Sequence, residues 1–402
     1  MNKSKKPDKI KARNKNNMLM IMLVASVIII AALTVWFVIF MSTALPGIQT
    51  DNPHSKEFPH TPSTSDLHET NGTGVPVVTG DSDPIKNKKE FYNILVAGRD
   101  IAGSHTDVIM VISYNVPDQE VNILQIPRDT YIIDTSATSK GRRINEVFAA
   151  AYNNLCNSGE HDEVKLVQKG MSSLETVVED TFGIRIDRYV YVDLSGFRSI
   201  IDVIGGVEID VPPGMNYDDD VQDLHIHLKP GLTLLNGDKA EQFVRYRWDY
   251  VEGDLGRVDA QRIFLSSFVK KMLSVQTALK LPQLLQEAYK YMTTDLNLSD
   301  CAYFAKNAVK LDLDKIRLYI ACGTAYKAQS GAWHYSLYSK ENLAIVNKAF
   351  NCTTRNIAAK NMSLDEVYRD DYGRNDTDGI SIESFLKAPI IPPMVKKTGD
   401  SD

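Results

Sequence analysis

The sequence NILVAGRDIAGSHTDVIMVISYNVPDQEVNILQIPRDTY, residues 93–131, contains three apolar runs that are rich in β-branched side chains. The runs NILVAG (93–98), DVIMVISYN (107–115) and VNILQIP (121–127) predict three β-strands. Residues 115–118, which include a proline, predict a tight turn between the second strand and the third. Strands this continuously apolar are buried on both faces of a sheet, so we expect helices to cover each side.

After these strands the sequence alternates between helical and strand patterns. Residues 163–182 have the apolar spacing of a helix, and Gly183 is placed to end it. The segment KPGLTLLNGD, residues 229–238, predicts a turn that leads into a helix. Further helices are predicted at 145–156, 194–204, 237–245, 257–292 (with an interruption at Pro282) and 339–350, and further strands at 187–193, 207–211, 224–228 and 315–321. The alternation predicts an α/β fold, namely an α/β/α sandwich on a central mixed β-sheet.

Residues 18–41, MLMIMLVASVIIIAALTVWFVIFM, contain no charged residue, proline or glycine. As a helix this segment would extend about 36 Å, enough to cross a hydrocarbon core of about 30 Å. A cleaved signal peptide is the alternative, but its apolar region is shorter, about 7–15 residues. We therefore predict an uncleaved, single transmembrane helix. The lysines and arginines of residues 1–17 predict a cytoplasmic N-terminus at the plasma membrane and an extracytoplasmic folded part.

The charge of the chain is unevenly distributed. The 402 residues carry a net charge of −6 although residues 1–17 carry +6, so residues 18–402 carry −12. This acidic body lacks the basic face that a nucleic-acid-binding surface needs, which argues against a nucleic-acid partner.

The cysteines show no metal-binding spacing. They are Cys156, Cys301, Cys322 and Cys352. Outside the cytoplasm Cys322 and Cys352 could form a disulfide, and buried free thiols are the equal alternative.

Composition divides the chain into five regions. Residues 42–88 contain six prolines and little apolar periodicity, which predicts a disordered extracytoplasmic linker. The residues after 352 are polar and irregular, which predicts a mobile C-terminal tail. The regions are a basic cytoplasmic tail (1–17), the transmembrane helix (18–41), the linker (42–88), a folded domain (89–352) and the tail (353–402).

Two aspartates lie in the connection between the first strand and the second. Asp100 follows the first strand and Asp107 begins the second, so both carboxylates are at the mouth of the sheet. Carboxylates in such a place can hold Mg²⁺, which takes few protein oxygens and completes its coordination with water and phosphate. Turn capping is the alternative role for both residues, and it is favoured when this segment is considered alone.

Two further segments place charged side chains where α/β proteins bind ligands. Arg128 and Asp129 follow directly after the third strand, at a strand end. Arg143 precedes a predicted helix, whose N-terminus itself favours anions. A local ion pair between Arg128 and Asp129, and a loop arginine without a specific contact, are the alternatives.

The segment VRYRWDYVEGDLGRVDAQR, residues 244–262, contains four arginines and four carboxylates. A solvated surface with mixed charges is the usual structure of such a run. Arg245 and Arg247, however, would project from the same side of an extended chain, and guanidinium groups suit phosphate oxygens. We expect Asp259 and Arg262 to remain in the solvated surface.

Together these segments resemble the LytR-CpsA-Psr family of bacterial cell-envelope enzymes. The resemblance rests on the G-x-D strand end (98–100), the PRDT loop (127–130) and the R-I-N helix start (143–145), and continues in L-N-G, R-Y-R and G-D-x-G-R. It extends from about residue 91 to at least residue 350, so it identifies the folded domain as the catalytic one. His105 and Ala260 stand where the family often has arginine, which removes two peripheral positive charges.

The resemblance implies a membrane-anchored phosphotransferase of a Gram-positive-type envelope. Such an enzyme takes an anionic glycopolymer, for example a wall teichoic acid or a capsule polysaccharide, from a polyprenyl pyrophosphate in the membrane. It joins the polymer to a muramic acid hydroxyl of peptidoglycan through a phosphodiester. The polyprenyl chain is expected to lie in an apolar tunnel between the sheet and its helices.

The resemblance also implies roles for particular residues. Asp100 and Asp107 would hold Mg²⁺ or Mn²⁺ at the pyrophosphate, and Asp254 would orient an arginine. Either Asp107 or Asp129 would be the general base. The substrate oxygens would be bound by Arg128, Arg143, Arg245, Arg247 and Arg257, with support from Gln261. The alternatives are a non-catalytic envelope regulator that binds polyprenyl phosphate, and a polyprenyl pyrophosphate hydrolase.

Overall fold

A mixed β-sheet forms the centre of the folded domain. The computed structural model describes residues 87–99, 106–133, 141–220, 224–247, 250–251, 253–274, 277, 284, 289–308, 310–389 and 391–392. The strands of the central sheet are β1 (Phe91–Arg99), β2 (Thr106–Asn115), β3 (Glu120–Gln125), β6 (Arg188–Val192), β11 (Met292–Thr294), β12 (Ile316–Ile320) and β15 (Ile380–Ser381). Their order is β11-β6-β1-β2-β3-β12-β15. Strand β2 is antiparallel to β1 and β3, whereas β6 and β12 run parallel to their inner neighbours.

Shorter strands form four hairpin-like pairs outside the central sheet. They are β4 (Tyr131–Ile133) with β5 (Gly141–Arg143), β7 (Val207–Val211) with β10 (Gly231–Leu235), β8 (Asn216–Asp219) with β9 (Leu224–His227), and β13 (Gly323–Lys327) with β14 (Trp333–Leu337). All four pairs are antiparallel.

Helices cover both faces of the sheet. They are α1 (Asn145–Asn157), α2 (Glu163–Phe182), α3 (Leu194–Val203), α4 (Gly237–Arg245), α5 (Asp254–Met272), α6 (Leu298–Ala308), α7 (Ser339–Ile345) and α8 (Ile382–Lys387). Alternate residues of the inner strands point into two separate buried clusters, one packed by α1, α2 and α7 and the other by α3, α4, α5 and α8. The predicted α/β class and the central mixed sheet are therefore confirmed.

The turn after β2 and the glycine that ends α2 lie where the sequence predicts them. Residues 116–119 form the turn between β2 and β3. Asp162 accepts hydrogen bonds from the first-turn amides of α2, and Gly183 ends this helix in the left-handed conformation, at φ 64°. An added Cβ at Gly183 would also lie 3.0 Å from the carbonyl oxygen of Asn361, so glycine suits both the backbone and the space.

One predicted element assignment is wrong, and the bounds of another differ. Gly231–Leu235 is a strand that pairs with Val207–Val211, although the sequence predicted a turn there. Its Leu232 and Leu234 are exposed, so the strand lacks the buried run that marks the strands of the central sheet. The helical region predicted over 257–292 begins slightly earlier, at Asp254, and its first helix ends at Met272, before the predicted interruption at Pro282. Among the described residues beyond it, 277, 284 and 289–291 are again helical.

Residues 353–389 do not form the irregular tail that the sequence predicted. Ile380–Ser381 adds an edge strand to the central sheet by pairing with β12. Ile382 and Phe385 of α8 are fully buried in the core. The folded domain therefore extends beyond the predicted boundary at residue 352. Its last elements are short, and their few apolar side chains show no sustained periodicity, so the sequence pattern does not reveal them.

The four cysteines are free thiols, three of them buried, which matches the second of the two alternatives considered for them. The predicted transmembrane segment, residues 18–41, lies outside the described residues, as do the basic tail and residues 393–402. Within the described part of the chain, no helix is both long and apolar enough to cross a bilayer.

Glu175 on α2 makes the stability of the domain depend on pH. Burial, together with the nearby carboxylates of Asp295 and Glu179, raises its pKa from 4.5 to about 8. The folded state thus binds this proton more tightly than the unfolded state, and the associated stability is lost as pH rises from about 4.5 through about 8. Glu175→Gln should therefore raise the Tm at pH 8.5 by about 2–4 °C. The difference should vanish in thermal melts at pH 4.5, and an equal difference at both pH values would contradict the assignment.

Candidate active site

Charged side chains meet at one edge of the central sheet. Because β2 is antiparallel to β1 and β3, the end of β1, the start of β2 and the end of β3 lie together. Asp107 is at the start of β2, and Arg128 is in the loop that follows β3. The Nη1 atom of Arg128 lies 2.5 Å from Oδ1 of Asp107. The sheet topology thus brings together two motifs that are separated by twenty residues of sequence.

The first turn of α5 completes this cluster. Oδ1 of Asp254 lies 3.5 Å from Nε of Arg128 and 2.9 Å from Nη2 of Arg257. Nη1 of Arg257 lies 3.7 Å from Oδ1 of Asp107. Two arginines and two aspartates therefore form a closed ring in which each guanidinium faces both carboxylates. Asp254 orients both arginines of the ring.

Arg247 adds a third positive charge to the ring. Burial lowers the pKa of its guanidinium, and repulsion from Arg128 and Arg257 lowers it further, against the attraction of Asp254 and Asp107. Cations that repel one another are held together here by the fold. Such an arrangement is stabilised by an anion, and guanidinium groups are suited to phosphate oxygens.

Arg245 has a different environment from Arg247. It is the last residue of α4 rather than part of an extended chain, so the predicted projection of the two side chains from one side is wrong. Its Nη1 atom lies 2.8 Å from Oε1 of Glu241, and the other carboxylate oxygen, Oε2, accepts a hydrogen bond from Arg198 at 2.6 Å. Glu241 is not among the predicted site residues, although its spacing of four residues from Arg245 on a helix is a signal for such a pair.

Asp129 and Arg143 extend the cluster on its other side. Nη1 of Arg143 lies 3.5 Å from Oδ1 of Asp129, and its Nε and Nη2 atoms donate to Glu146 at 2.8 and 2.6 Å. Nε of Arg128 lies 3.9 Å from Oδ2 of Asp129. Asp129 thus lies between two arginines, at the end of the cluster that is formed by β4, β5 and the start of α1.

The two candidate bases differ in acidity. Burial raises the pKa of Asp107, but the charges of Arg257, Arg128 and Arg247 outweigh this effect and hold the pKa below its ordinary value. Burial and the charge of Asp254 raise the pKa of Asp129, and the nearby arginines compensate only in part. Neighbouring carboxyl groups with opposite shifts are suited to different roles in one reaction.

An apolar cavity of about 270 Å³ opens beside the ring. It lies between the sheet and the helices α3, α4 and α5, and its apolar wall includes Met110, Phe197, Ile200, Leu265 and Phe268. Its polar end is formed by Asp107, Arg245, Arg257 and Gln261. The side chain of Gln261 is held there by a hydrogen bond from Gln125 at 2.8 Å and by its own bond to the carbonyl of Val244 at 3.2 Å.

Asp259 and Arg262 are buried, so the prediction that they form a solvated surface is wrong. Oδ2 of Asp259 accepts from Arg374 at 2.6 Å, and its Oδ1 lies 3.6 Å from Arg262. Arg374 belongs to the segment after residue 352, which packs against α5 and gives Asp259 a second cationic partner besides Arg262.

Asp107 has the chemistry of a magnesium ligand. Its carboxylate is ionised, a quarter exposed and at the polar end of the cavity. Asp100, the second predicted ligand, lies outside the described residues, as does His105. Among the described residues, no group of three or more His, Cys, Asp or Glu side chains could hold a metal ion. A site here would therefore depend on few protein oxygens together with those of a substrate, as is usual for Mg²⁺.

Gly256 allows the first turn of α5 to pack against Tyr250. An added Cβ would lie 2.5 Å from Cβ of Tyr250, a side chain that is itself buried. Gly256→Ala should therefore displace the adjacent Arg257, lower the free energy of unfolding by about 1–3 kcal/mol and reduce the binding of inorganic pyrophosphate. Denaturant titration and calorimetry measure both effects. Gly331→Ala is a control that adds backbone strain without a steric clash, because its φ is 84° and no atom lies within 4 Å of its added Cβ. Equal pyrophosphate affinity in Gly256→Ala and in the wild type would contradict the placement of Arg257.

Two proteins with similar sequences are named as teichoic acid transferases. The chain is 30% identical over 220 residues to the polyisoprenyl-teichoic acid–peptidoglycan teichoic acid transferase TagV of Bacillus subtilis. That match covers 53% of this chain and 52% of TagV, so the match spans about half the length of this relative. The transferase TagU of Bacillus mycoides is 27% identical over 267 residues, which are 65% of this chain and 79% of TagU.

Solved structures show the same fold. The crystal structure of B. subtilis TagV aligns with a TM-score of 0.52 at 26% identity, over 65% of this chain and 96% of that one. The protein gbs0355 from Streptococcus agalactiae aligns with a TM-score of 0.53 at 19% identity, over 75% of this chain and 98% of that one.

The match to a family description covers most of the chain. Residues 56–351 match the LytR_cpsA_psr family, and this range contains the four arginines and three aspartates that form the cluster. The resemblance drawn from the strand-end motifs is therefore confirmed. The chain belongs to the LytR_cpsA_psr family.

Proposed function

We infer that this chain is a membrane-anchored phosphotransferase that moves an anionic glycopolymer from a polyprenyl pyrophosphate to peptidoglycan. The observation that carries this proposal is the ring of Arg128, Arg257 and their aspartates at the polar end of an apolar cavity. A lipid pyrophosphate would match both parts of this site, because it joins a highly charged group to a hydrocarbon chain. The names of the relatives favour a teichoic acid as the polymer.

The reaction needs positioned charges rather than a covalent nucleophile. The oxygen of a muramic acid hydroxyl attacks the phosphorus that carries the glycopolymer, and a phosphodiester bond forms. The bond from that phosphorus to the bridging oxygen breaks, and its electron pair leaves with the polyprenyl phosphate. Arg128, Arg247 and Arg257 neutralise the charge that develops on the phosphoryl oxygens, which is the main protein contribution in phosphoryl transfer.

Asp129 is the proposed acceptor of the hydroxyl proton. Its raised pKa brings it closer to the operating pH than Asp107, whose carboxylate is held ionised by arginines. It also lies on the side of Arg128 that is away from the cavity, since it contacts Arg143 and lines no part of the cavity wall.

Asp107 and Asp100 are the proposed ligands of Mg²⁺ or Mn²⁺. A bound divalent cation would neutralise part of the pyrophosphate charge. The residues 18–41 are the proposed membrane anchor, with residues 1–17 in the cytoplasm and the folded domain outside, because a polyprenyl carrier is itself confined to the membrane.

The proposal is tested with the full chain in detergent, a polyprenyl pyrophosphate-linked saccharide, peptidoglycan and Mg²⁺. We expect saccharide to become linked to peptidoglycan through a phosphodiester, and we expect a chelator to stop this reaction. Release of saccharide without linkage would support a hydrolase instead. Binding of the lipid without any chemical change would support a non-catalytic envelope regulator.

A further inference from the structure

A row of aromatic rings extends away from the charged cluster, and no step proposed above uses it. The ring centroids of Tyr131 and His334 are 5.7 Å apart, and those of His334 and Tyr326 are also 5.7 Å apart. Tyr368 continues the row, with its centroid 5.6 Å from that of Tyr326. We call these four residues the aromatic row. They come from β4, from the β13–β14 hairpin and from the segment after residue 352.

The aromatic row is continuous with the cluster. Tyr131 is the cross-strand partner of Arg143, so their side chains lie on one face of the β4–β5 pair. The backbone amide of Tyr335, next to His334, donates to the carbonyl oxygen of Asp129 at 2.8 Å. The hairpin that carries the middle of the row is therefore fixed directly to the proposed base.

The rings are accessible to a ligand. Tyr368 is 44% exposed, and Tyr131, Tyr326 and His334 are only partly buried. Burial and the neighbouring Arg143 lower the pKa of His334, which favours the uncharged ring. The aromatic row thus presents apolar ring surfaces and phenolic hydroxyls rather than charges.

This chemistry fits a saccharide chain. Hexose rings have apolar faces that pack on aromatic side chains and hydroxyls that hydrogen-bond at their edges, and tyrosine offers both kinds of contact. The regular spacing of the rings suits consecutive sugars of a strand better than it suits a single small molecule.

The position of the aromatic row favours the acceptor substrate, rather than the donor, as its ligand. In phosphoryl transfer the attacking and leaving oxygens lie roughly in line. The leaving polyprenyl phosphate would extend into the cavity beside Arg257, so the attacking hydroxyl must approach from the opposite side of the phosphorus. The row lies on the side of Asp129 and Arg143, and none of its residues lines the cavity. We propose that the aromatic row binds the glycan strand of the acceptor peptidoglycan, an assignment that rests on the proposed transferase function.

The test uses the full chain in detergent and removes the two tyrosine rings that are farthest along the row from Tyr131, those of Tyr326 and Tyr368. Tyr326→Ala with Tyr368→Ala should raise the Kd for soluble peptidoglycan glycan strands, measured by calorimetry, about tenfold. The KM for the acceptor should rise by the same factor. The kcat at saturating acceptor and the affinity for the lipid-linked donor should stay unchanged, because the cluster is intact. Tyr326→Trp, which keeps an aromatic ring, should retain wild-type affinity.

Trp333→Ala is the matched control. Trp333 is also an exposed aromatic residue of the same hairpin, but it alternates with His334 and so lies on the other face of the strand. The Trp333→Ala variant should bind glycan strands with the same affinity as the wild type. Unchanged strand affinity in the double variant would overturn the proposal even if transfer occurs. A loss of strand affinity in a protein that performs no transfer would support the aromatic row and reject the proposed reaction.

Discussion

Arg128→Ala should lower kcat/KM for glycopolymer transfer by about 10³-fold. Arg128 is the one residue of the ring that contacts Asp107, Asp254 and Asp129, and it lies next to Arg247 and Arg257. Its removal takes away a fork of hydrogen-bond donors and leaves three carboxylates with one cation fewer beside an anionic substrate. Both effects disfavour the transition state, in which negative charge accumulates on the phosphoryl oxygens.

Two further variants show whether kcat/KM falls because of the lost charge, the lost guanidinium geometry or a disturbed fold. Arg128→Lys keeps the positive charge without the planar fork, so we expect an intermediate loss of about 10–100-fold. Arg185→Ala removes another partly buried arginine, which pairs with Asp187 at 2.6 Å near the start of β6, at the opposite edge of the sheet. It should retain near wild-type kcat/KM. Initial rates of saccharide linkage to peptidoglycan give all three values, and an Arg128→Ala enzyme within threefold of wild type would refute the proposed role.

Leu265→Trp should lower kcat/KM for a long-chain polyprenyl donor by about 100-fold. Leu265 lies on α5 in the wall of the cavity, one turn beyond Gln261. The larger indole would fill part of the 270 Å³ space and displace several methylene groups of the lipid, each worth about 0.8 kcal/mol when buried. The charged ring would be unchanged, so a short-chain donor that leaves this part of the cavity empty should react equally well with variant and wild type.

Val269→Trp is the control for the cavity variant. Val269 is one further turn along the same helix and is partly buried, but it does not line the cavity. Val269→Trp should therefore leave the ratio of kcat/KM for long-chain and short-chain donors the same as in the wild type. Rates with donors of two chain lengths distinguish the outcomes. A loss that is equal for both donors would show that the substitution at Leu265 disturbs the ring rather than the lipid site.

Local sequence was sufficient to predict the strands that carry the site. The apolar runs at 93–98, 107–115 and 121–127 form neighbouring strands, because continuous β-branched sequence has few other stable structures. Arg128 was identifiable because it directly follows such a strand, whereas Arg257 was identified through the resemblance to the LytR-CpsA-Psr family. Gly183 ends its helix as predicted, since the left-handed conformation costs glycine little.

Features that depend on distant partners were not predictable in this way. Arg262 lies in a mixed-charge run that suggests a surface, but it is buried beside Asp259, whose partner Arg374 is 115 residues away in sequence. The cavity has no sequence signature, because its lining residues look like ordinary core. The aromatic row joins residues from three segments between 131 and 368.

The sequence by itself determined the α/β class, the strand ends and the arginines and aspartates that they carry, because those depend on short-range periodicity and turn chemistry. Only the tertiary structure decided which charges meet. Arg128 and Arg257 share Asp107 and Asp254, while Arg245 is occupied by Glu241. The reason is that ion pairing and burial depend on distances in space, which the strand order and helix packing set.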